Sequence, residues 1–181
     1  MGGLPHDNGF PLSIAINLSG LWLDDLQLPD FIYATTRAAG LRPGDVTLEV
    51  TETGVMKDLA TALEVLTRLR LKGYELSIDD FGIGYSSFEQ LDRIPFTEMK
   101  LDRNFVSKGT TDTTARAILQ GSMDMAQRMA LSTVAEGVQT ETDLELVRTL
   151  GCDRVQGYLI ARPMPTTELI AWLRRDTRAV A

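Results

Sequence analysis

Asp79 and Asp80 close an apolar, strand-like run and lead straight into a glycine-rich turn, Phe81-Gly82-Ile83-Gly84-Tyr85-Ser86-Ser87. Three other strand-like runs end on acids in the same way: Leu48-Glu49-Val50-Thr51-Glu52, Met99-Lys100-Leu101-Asp102 and Val134-Ala135-Glu136-Gly137. If these runs are parallel strands of a barrel, the acids at their carboxyl ends converge on one face. Close carboxylates repel unless cations sit between them, so the pattern predicts an oxygen-lined site for hard divalent metal ions.

The remaining composition narrows the chemistry. The one cysteine, Cys152, excludes an internal disulfide and a Cys-cluster zinc site. The one histidine, His6, falls in the stretch Met1–His6, which reads as a flexible leader. A Ser-His-Asp triad or a His-rich zinc site is therefore not available from this chain. Catalysis here must use carboxylates, lysine, hydroxyls or bound metal. A net charge of −7 gives no positive field for a nucleic-acid backbone, so no polymeric nucleic acid is expected as a partner. A small anionic ligand is still compatible where metal ions offset the acids. No apolar run approaches bilayer length and the start lacks a basic-then-apolar signal pattern, so the expectation is a cytoplasmic protein with no membrane segment.

The elements that must position these acids alternate strand and helix. Strands are predicted at Ser13–Leu18, Val46–Glu52, Glu75–Asp80, Thr97–Leu101, Leu131–Glu136 and Arg154–Ile160. Helices are predicted at Pro29–Ala39, Lys57–Lys72, Ser86–Arg93, Thr113–Ala130, Thr140–Leu150 and Thr166–Arg175, with stops at Gly40, Gly73 and Pro95. About six βα units in unbroken alternation imply a parallel sheet with right-handed crossovers. Two forms compete. A doubly wound sheet would be complete with six strands, but its Gly-x-Gly-x-x-Gly turn is absent, and two acids precede Gly82-Ile83-Gly84 where a phosphate would be repelled. A full eight-unit barrel takes about 250 residues, and this chain is short of that by roughly two units.

Taken singly, each candidate has a plain structural explanation. Asn17 and Asp102 read as helix caps, Lys100 as a surface lysine, and Gly82 and Gly84 as turn glycines. The adjacent pair Asp79–Asp80 resists that reading, because two acids ending an apolar strand repel without a counter-charge.

Six motifs in order are similar to the EAL family of cyclic di-GMP phosphodiesterases, from Ser13 to about Thr167. They are Asn17-Leu18-Ser19, Leu48 to Glu52, Asp79 to Ser87, Lys100-Leu101-Asp102-Arg103-Asn104-Phe105-Val106, Ala135-Glu136-Gly137-Val138 and Gln156-Gly157-Tyr158. Each alone is weak; six in the family's order are specific. The resemblance implies a bacterial signalling module with an incomplete TIM-like (β/α)8 barrel that begins at the family's third strand. Residues 1–12 would be a leader and 13–181 a truncated domain lacking the Glu-Ala-Leu motif. It further implies two divalent ions, Mg²⁺ or Mn²⁺, that bind the scissile phosphate of cyclic di-GMP and activate water to give linear pGpG. By position, Asn17, Glu49, Asp79 and Glu136 resemble metal ligands, Asp80 is shared with the second ion, and Asp102 resembles a second-metal or water-orienting acid. Lys100 resembles the lysine that holds the attacking water and, with Glu49 and Asp79, forms the expected catalytic set. Gln156 resembles a residue close to the ligands and water network, and Glu52 an acid that braces the Gly82–Ser87 loop. Gln139 stands where the family commonly has Glu, at a place with little expected effect. Impaired turnover is expected, with a non-catalytic cyclic di-GMP receptor as the alternative. The missing strands predict open edges and hence a homodimer or strand-swapped assembly.

Overall fold

A computed structural model describes residues 12–81 and 93–175, with backbone only for Glu52, Met56, Asp80, Phe81, Arg174 and Arg175. Its described strands are β1 (Ile14–Asn17), β2 (Val46–Thr51), β3 (Glu75–Phe81), β4 (Glu98–Leu101), β5 (Ser132–Ala135) and β6 (Arg154–Val155). They form one parallel sheet in chain order, β1 to β6. The described helices are α1 (Leu28–Ala38), α2 (Glu52–Met56), α3 (Leu59–Leu71), α4 (Arg103–Lys108), α5 (Thr113–Arg128), α6 (Glu141–Thr149) and α7 (Thr166–Arg175). Sequential parallel strands with helical crossovers make a half-barrel, which fits the predicted incomplete (β/α)8 architecture and not the doubly wound one.

Alternation along the strands decides which face meets the helices. Val46, Leu48, Val50, Leu76, Ile78, Met99 and Leu101 are buried in one apolar layer with Ala62, Val65, Leu66 and Leu69 of α3 and Leu119 of α5. Burying a leucine such as Leu66 or Leu69 contributes roughly 1.5–3 kcal/mol. The opposite, concave face carries Thr47, Glu49, Ser77, Glu98 and Lys100, all buried and all polar. A barrel interior is ordinarily filled by branched apolar side chains. This one is polar, which suits a site and not a packed core.

The helices begin where short polar side chains can accept from free backbone N–H groups. Asp58 accepts from Thr61 N ahead of α3, Asp112 from Thr114 N and Ala115 N ahead of α5, and Thr140 with Asp143 forms a capping box on α6. The structure departs from the predicted elements in three places. The helix predicted at Lys57–Lys72 is α3, Leu59–Leu71, capped by Asp58, and a short α2, absent from the prediction, precedes it at Glu52–Met56. The strand predicted at Arg154–Ile160 ends at Val155; the chain turns at Gly157, whose carbonyl accepts from Ile160 N and Ala161 N. The short helix α4, absent from the sequence reading, is capped by Asp102. Most of the predicted helix Ser86–Arg93 and nearly all of the leader lie outside the described residues.

Candidate active site

The strand order brings Glu49 (β2), Asp79 (β3), Lys100 (β4) and Glu136 (after β5) to the carboxyl-terminal end of the sheet. Glu136 is aimed there because its N–H continues the ladder, donating to Leu101 O. The Lys100 Nζ lies 2.6 Å from Glu136 Oε1, 2.8 Å from Glu49 Oε2 and 3.7 Å from Asp79 Oδ1. Three carboxylates from three separate strands thus surround one ammonium. Lys100 is 4% exposed and Glu49 7%, so solvent screens these contacts weakly.

A bulge helps to aim the acids. Ile78 pairs with Met99 but Phe81 pairs with Leu101, so Asp79 and Asp80 together oppose the single residue Lys100. Such two-against-one irregularities re-aim side chains and recur beside active sites. The side chain of Asp80 lies outside the described part, as do that of Glu52 and the whole Gly82–Ser87 loop.

Charge and burial compete in the cluster. Burial disfavours the Lys100 ammonium, but hydrogen bonds and attraction from Glu136 and Glu49 outweigh it and hold the pKa above the ordinary lysine value. Burial pushes the Glu136 carboxyl up; Lys100 opposes that, and the neighbouring Asp79 and Glu49 add to it. Lys100 therefore stays charged. With all three acids ionised, two negative charges remain uncompensated by it.

The other predicted residues lie around this centre. Asn17 ends β1 in register with Glu49 and is exposed. Asp102 is buried, and its Oδ1 accepts from Asn104 N at 2.8 Å, the capping role that its position after a strand suggests. Gln156 follows β6, is exposed, and is tied by backbone bonds to Ala135 O and Val138 N. Gln139 is exposed and stands ahead of the Thr140 cap, outside α6.

Among the described residues no three His, Cys, Asp or Glu side chains form a metal-binding group by themselves; the three acids meet at a lysine instead. The donor set nevertheless fits a hard cation. It is all oxygen, and a buried ammonium already stands among its members as the cation.

Sequence reasoning missed the layer beneath. Arg154 donates to Glu98 Oε2 at 2.7 Å and to Ser132 Oγ at 2.9 Å, passing across β5 to join β6 to β4. The signal was present: Glu98 and Arg154 each stand two residues before a site residue, on the same strand face.

A parallel half-barrel with an acidic, cation-holding centre at the strand ends defines a TIM-barrel-like domain built for polar chemistry at its mouth. The chain belongs to the EAL domain family, whose model matches residues 4–163. It is 41% identical over 157 residues to the cyclic di-GMP phosphodiesterase RocR of Pseudomonas aeruginosa, covering 87% of this chain and 40% of that protein. Against the solved structure of the PaMucR phosphodiesterase in complex with c-di-GMP the TM-score is 0.82 at 39% identity, covering 87% of this chain and 64% of that one. Against Klebsiella pneumoniae BlrP1, solved as a manganese and c-di-GMP complex, the TM-score is 0.78 at 34% identity, covering 83% of this chain and 39% of that one. The chain spans less than two thirds of each of these relatives. Among the described residues no helix is long and apolar enough to cross a membrane.

Proposed function

We propose that this chain forms the cation- and substrate-binding part of a cyclic di-GMP phosphodiesterase that yields pGpG. The observation that carries the reading is the gathering of Glu49, Asp79 and Glu136 around Lys100 at one end of a parallel sheet. Asn17, Glu49, Asp79 and Glu136 would hold one divalent ion, Mg²⁺ or Mn²⁺; Asp80 would be shared with a second, which Asp102 would serve. Bound there, the ions supply Lewis acidity and neutralise charge on the reacting phosphate.

The chain's own groups do the rest. Lys100 keeps its proton, so it orients a water by donation and stabilises developing negative charge; it does not act as a base. Gln156, just beyond β6, would lie close to the ligands and water network, and Glu52 would brace the Gly82–Ser87 loop. The tripeptide Glu-Ala-Leu does not occur in the 181 residues. Since a misplacement of about 1 Å can cost about 100-fold in rate, these 181 residues by themselves are expected to turn over slowly. A second reading is a non-catalytic receptor for the same nucleotide.

Incubation with cyclic di-GMP and Mn²⁺ tests the first reading through the appearance of pGpG. Calorimetric titration tests the second: uptake without cleavage supports a receptor, and no uptake of either metal or nucleotide sinks both. A homodimer or strand-swapped assembly is also proposed. Among the described residues β1 pairs on one side only, and Ile16, Trp22 and Phe31 are exposed around the apolar groove beside it. A monomer in light scattering at high concentration would refute it.

A further inference from the structure

Gly20 and Gly54 pack backbone against backbone. A Cβ at Gly20 would stand 2.4 Å from Gly54 Cα and 2.9 Å from Gly54 O. One at Gly54 would stand 3.0 Å from both Gly20 Cα and Thr51 Oγ1. So close an approach needs a residue without a Cβ on each side. Gly20 opens a single 3-10 turn, Gly20–Trp22, shortly after Asn17 ends β1. Gly54 lies in α2, which starts directly after β2 and its Glu49. The crossing therefore joins the segments that follow two candidate metal ligands.

Asn17 needs such a hold. Among the described residues β1 pairs only with β2, and Asn17 at its end is exposed. Neither a second strand nor close packing of its side chain fixes its direction. The segment after it does. Leu18 N donates to Glu49 O at 2.8 Å, which extends the ladder past Asn17. Gly54 N donates to Thr51 Oγ1 at 3.2 Å and starts α2. Leu23 and Val55, one on each side of the crossing, are buried in the core. Lys57 Nζ lies 3.0 Å from Asp24 Oδ2 across the same two segments, but both side chains are exposed and a surface ion pair contributes little. The glycine contact has no rotamer to relax, so it is the stiffer tie.

We propose that Gly20 and Gly54 are positioning residues for the metal site: their crossing fixes the end of β1, and with it Asn17, relative to Glu49. Ligand sets work only when supporting structure holds them to within about 0.5 Å. On an edge strand that support has to come from beyond the sheet, and the crossing supplies it. The crossing itself stands on the distances above. Its consequence for cations rests on the reading of Asn17 and Glu49 as ligands of one divalent ion.

Gly54→Ala tests this, since its Cβ asks the neighbours to yield by only a few tenths of an ångström and the chain should still fold. Calorimetric titration with Mn²⁺ is run on wild type, Gly54→Ala, Asn17→Ala and the double variant. Gly54→Ala is expected to weaken Mn²⁺ uptake on the order of tenfold, the low end of indirect effects on metal ligands. The double variant should bind no more weakly than Asn17→Ala, because the crossing acts through Asn17. Unchanged affinity in Gly54→Ala, or losses that multiply in the double variant, overturns the inference. Amide hydrogen exchange reads the crossing without metal. The Leu18 amide should exchange faster in Gly54→Ala while amides of β3 keep their rates; no change, or the same change throughout the sheet, refutes the hold on β1. If the wild type takes up no Mn²⁺, the metal-site reading fails, and the Leu18 amide still decides whether the glycines fix the strand.

Discussion

Lys100, on β4, reaches past β3 to place its ammonium 2.8 Å from Glu49 Oε2 on β2. Its contact with Glu136 on the other side is 2.6 Å. One side chain therefore ties together the ends of β2, β4 and the segment after β5. Replacing it tests whether the cluster needs a cation. Lys100→Met leaves Glu49 buried with its ammonium gone, and breaking a buried pair from one side costs about 3–5 kcal/mol. Urea unfolding at neutral pH is expected to show that loss. Added Mn²⁺ should restore more stability to Lys100→Met than to wild type; equal responses would mean that the acids do not share a cation site.

Glu136 gives a pH signature with a definite sign. Its folded-state pKa lies above the ordinary value of 4.5, so the folded protein binds the proton more tightly than the unfolded chain. The contribution is fully present below pH 4.5 and is lost as pH rises through the folded value. Glu136→Gln should remove that component, with a slope of at most about 1.4 kcal/mol per pH unit for one proton. Lys100, also raised, acts at the other end: its contribution holds below its ordinary 10.5 and is lost above it as pH rises through the folded value. Unfolding midpoints of wild type and Glu136→Gln across acidic pH check the first effect; identical profiles would contradict it.

The pair Arg154–Glu98 should matter more than its half-exposed arginine suggests. Glu98 is 5% exposed, and Arg154→Met leaves it without its guanidinium. Because Arg154 itself is partly solvated, a loss of about 1–3 kcal/mol is expected, below that of a fully buried pair. Glu98→Gln combined with Arg154→Met should be less damaging than the sum of the single changes. A double-mutant cycle by urea unfolding measures that coupling. The short strand β6, only Arg154–Val155, would lose its main side-chain tie to β4 in these variants.

How far the sequence carried these conclusions follows from what each signal encodes. Strands β2, β3 and β5 and helices α1, α5 and α7 were legible because apolar periodicity and capping residues agree there, as in the run from Asp112 to Arg128. The acids at strand ends were legible because parallel topology places all such ends together. What stayed hidden depends on contacts between distant residues. Nothing local tells that Lys100 will lie among three acids, or that the bulge sets Asp79 and Asp80 both opposite it. The over-long strand Arg154–Ile160 failed for a similar reason. Val155, Tyr158 and Ile160 look strand-like, yet the chain turns because Gly157 packs against the backbone of Val138.

That last contact yields the sharpest structural prediction. A Cβ at Gly157 would come within 2.1 Å of Val138 O, 2.4 Å of Val138 N and 2.7 Å of Val138 C, all backbone atoms. No rotamer can relieve such a clash, so Gly157→Ala must displace the turn after β6 or the segment after Glu136. Gly137, at φ +65°, is the milder case. There the new Cβ meets the Arg103 side chain at 2.5 Å, and the backbone strain is of the order of 1–3 kcal/mol. Gly157→Ala is expected to destabilise by more than Gly137→Ala, by about 4 kcal/mol or above, a size that single changes reach only through specific steric or burial faults. Thermal melts of the two variants decide it. If Gly157→Ala melts like wild type, the close approach to the Val138 backbone does not constrain the turn after β6.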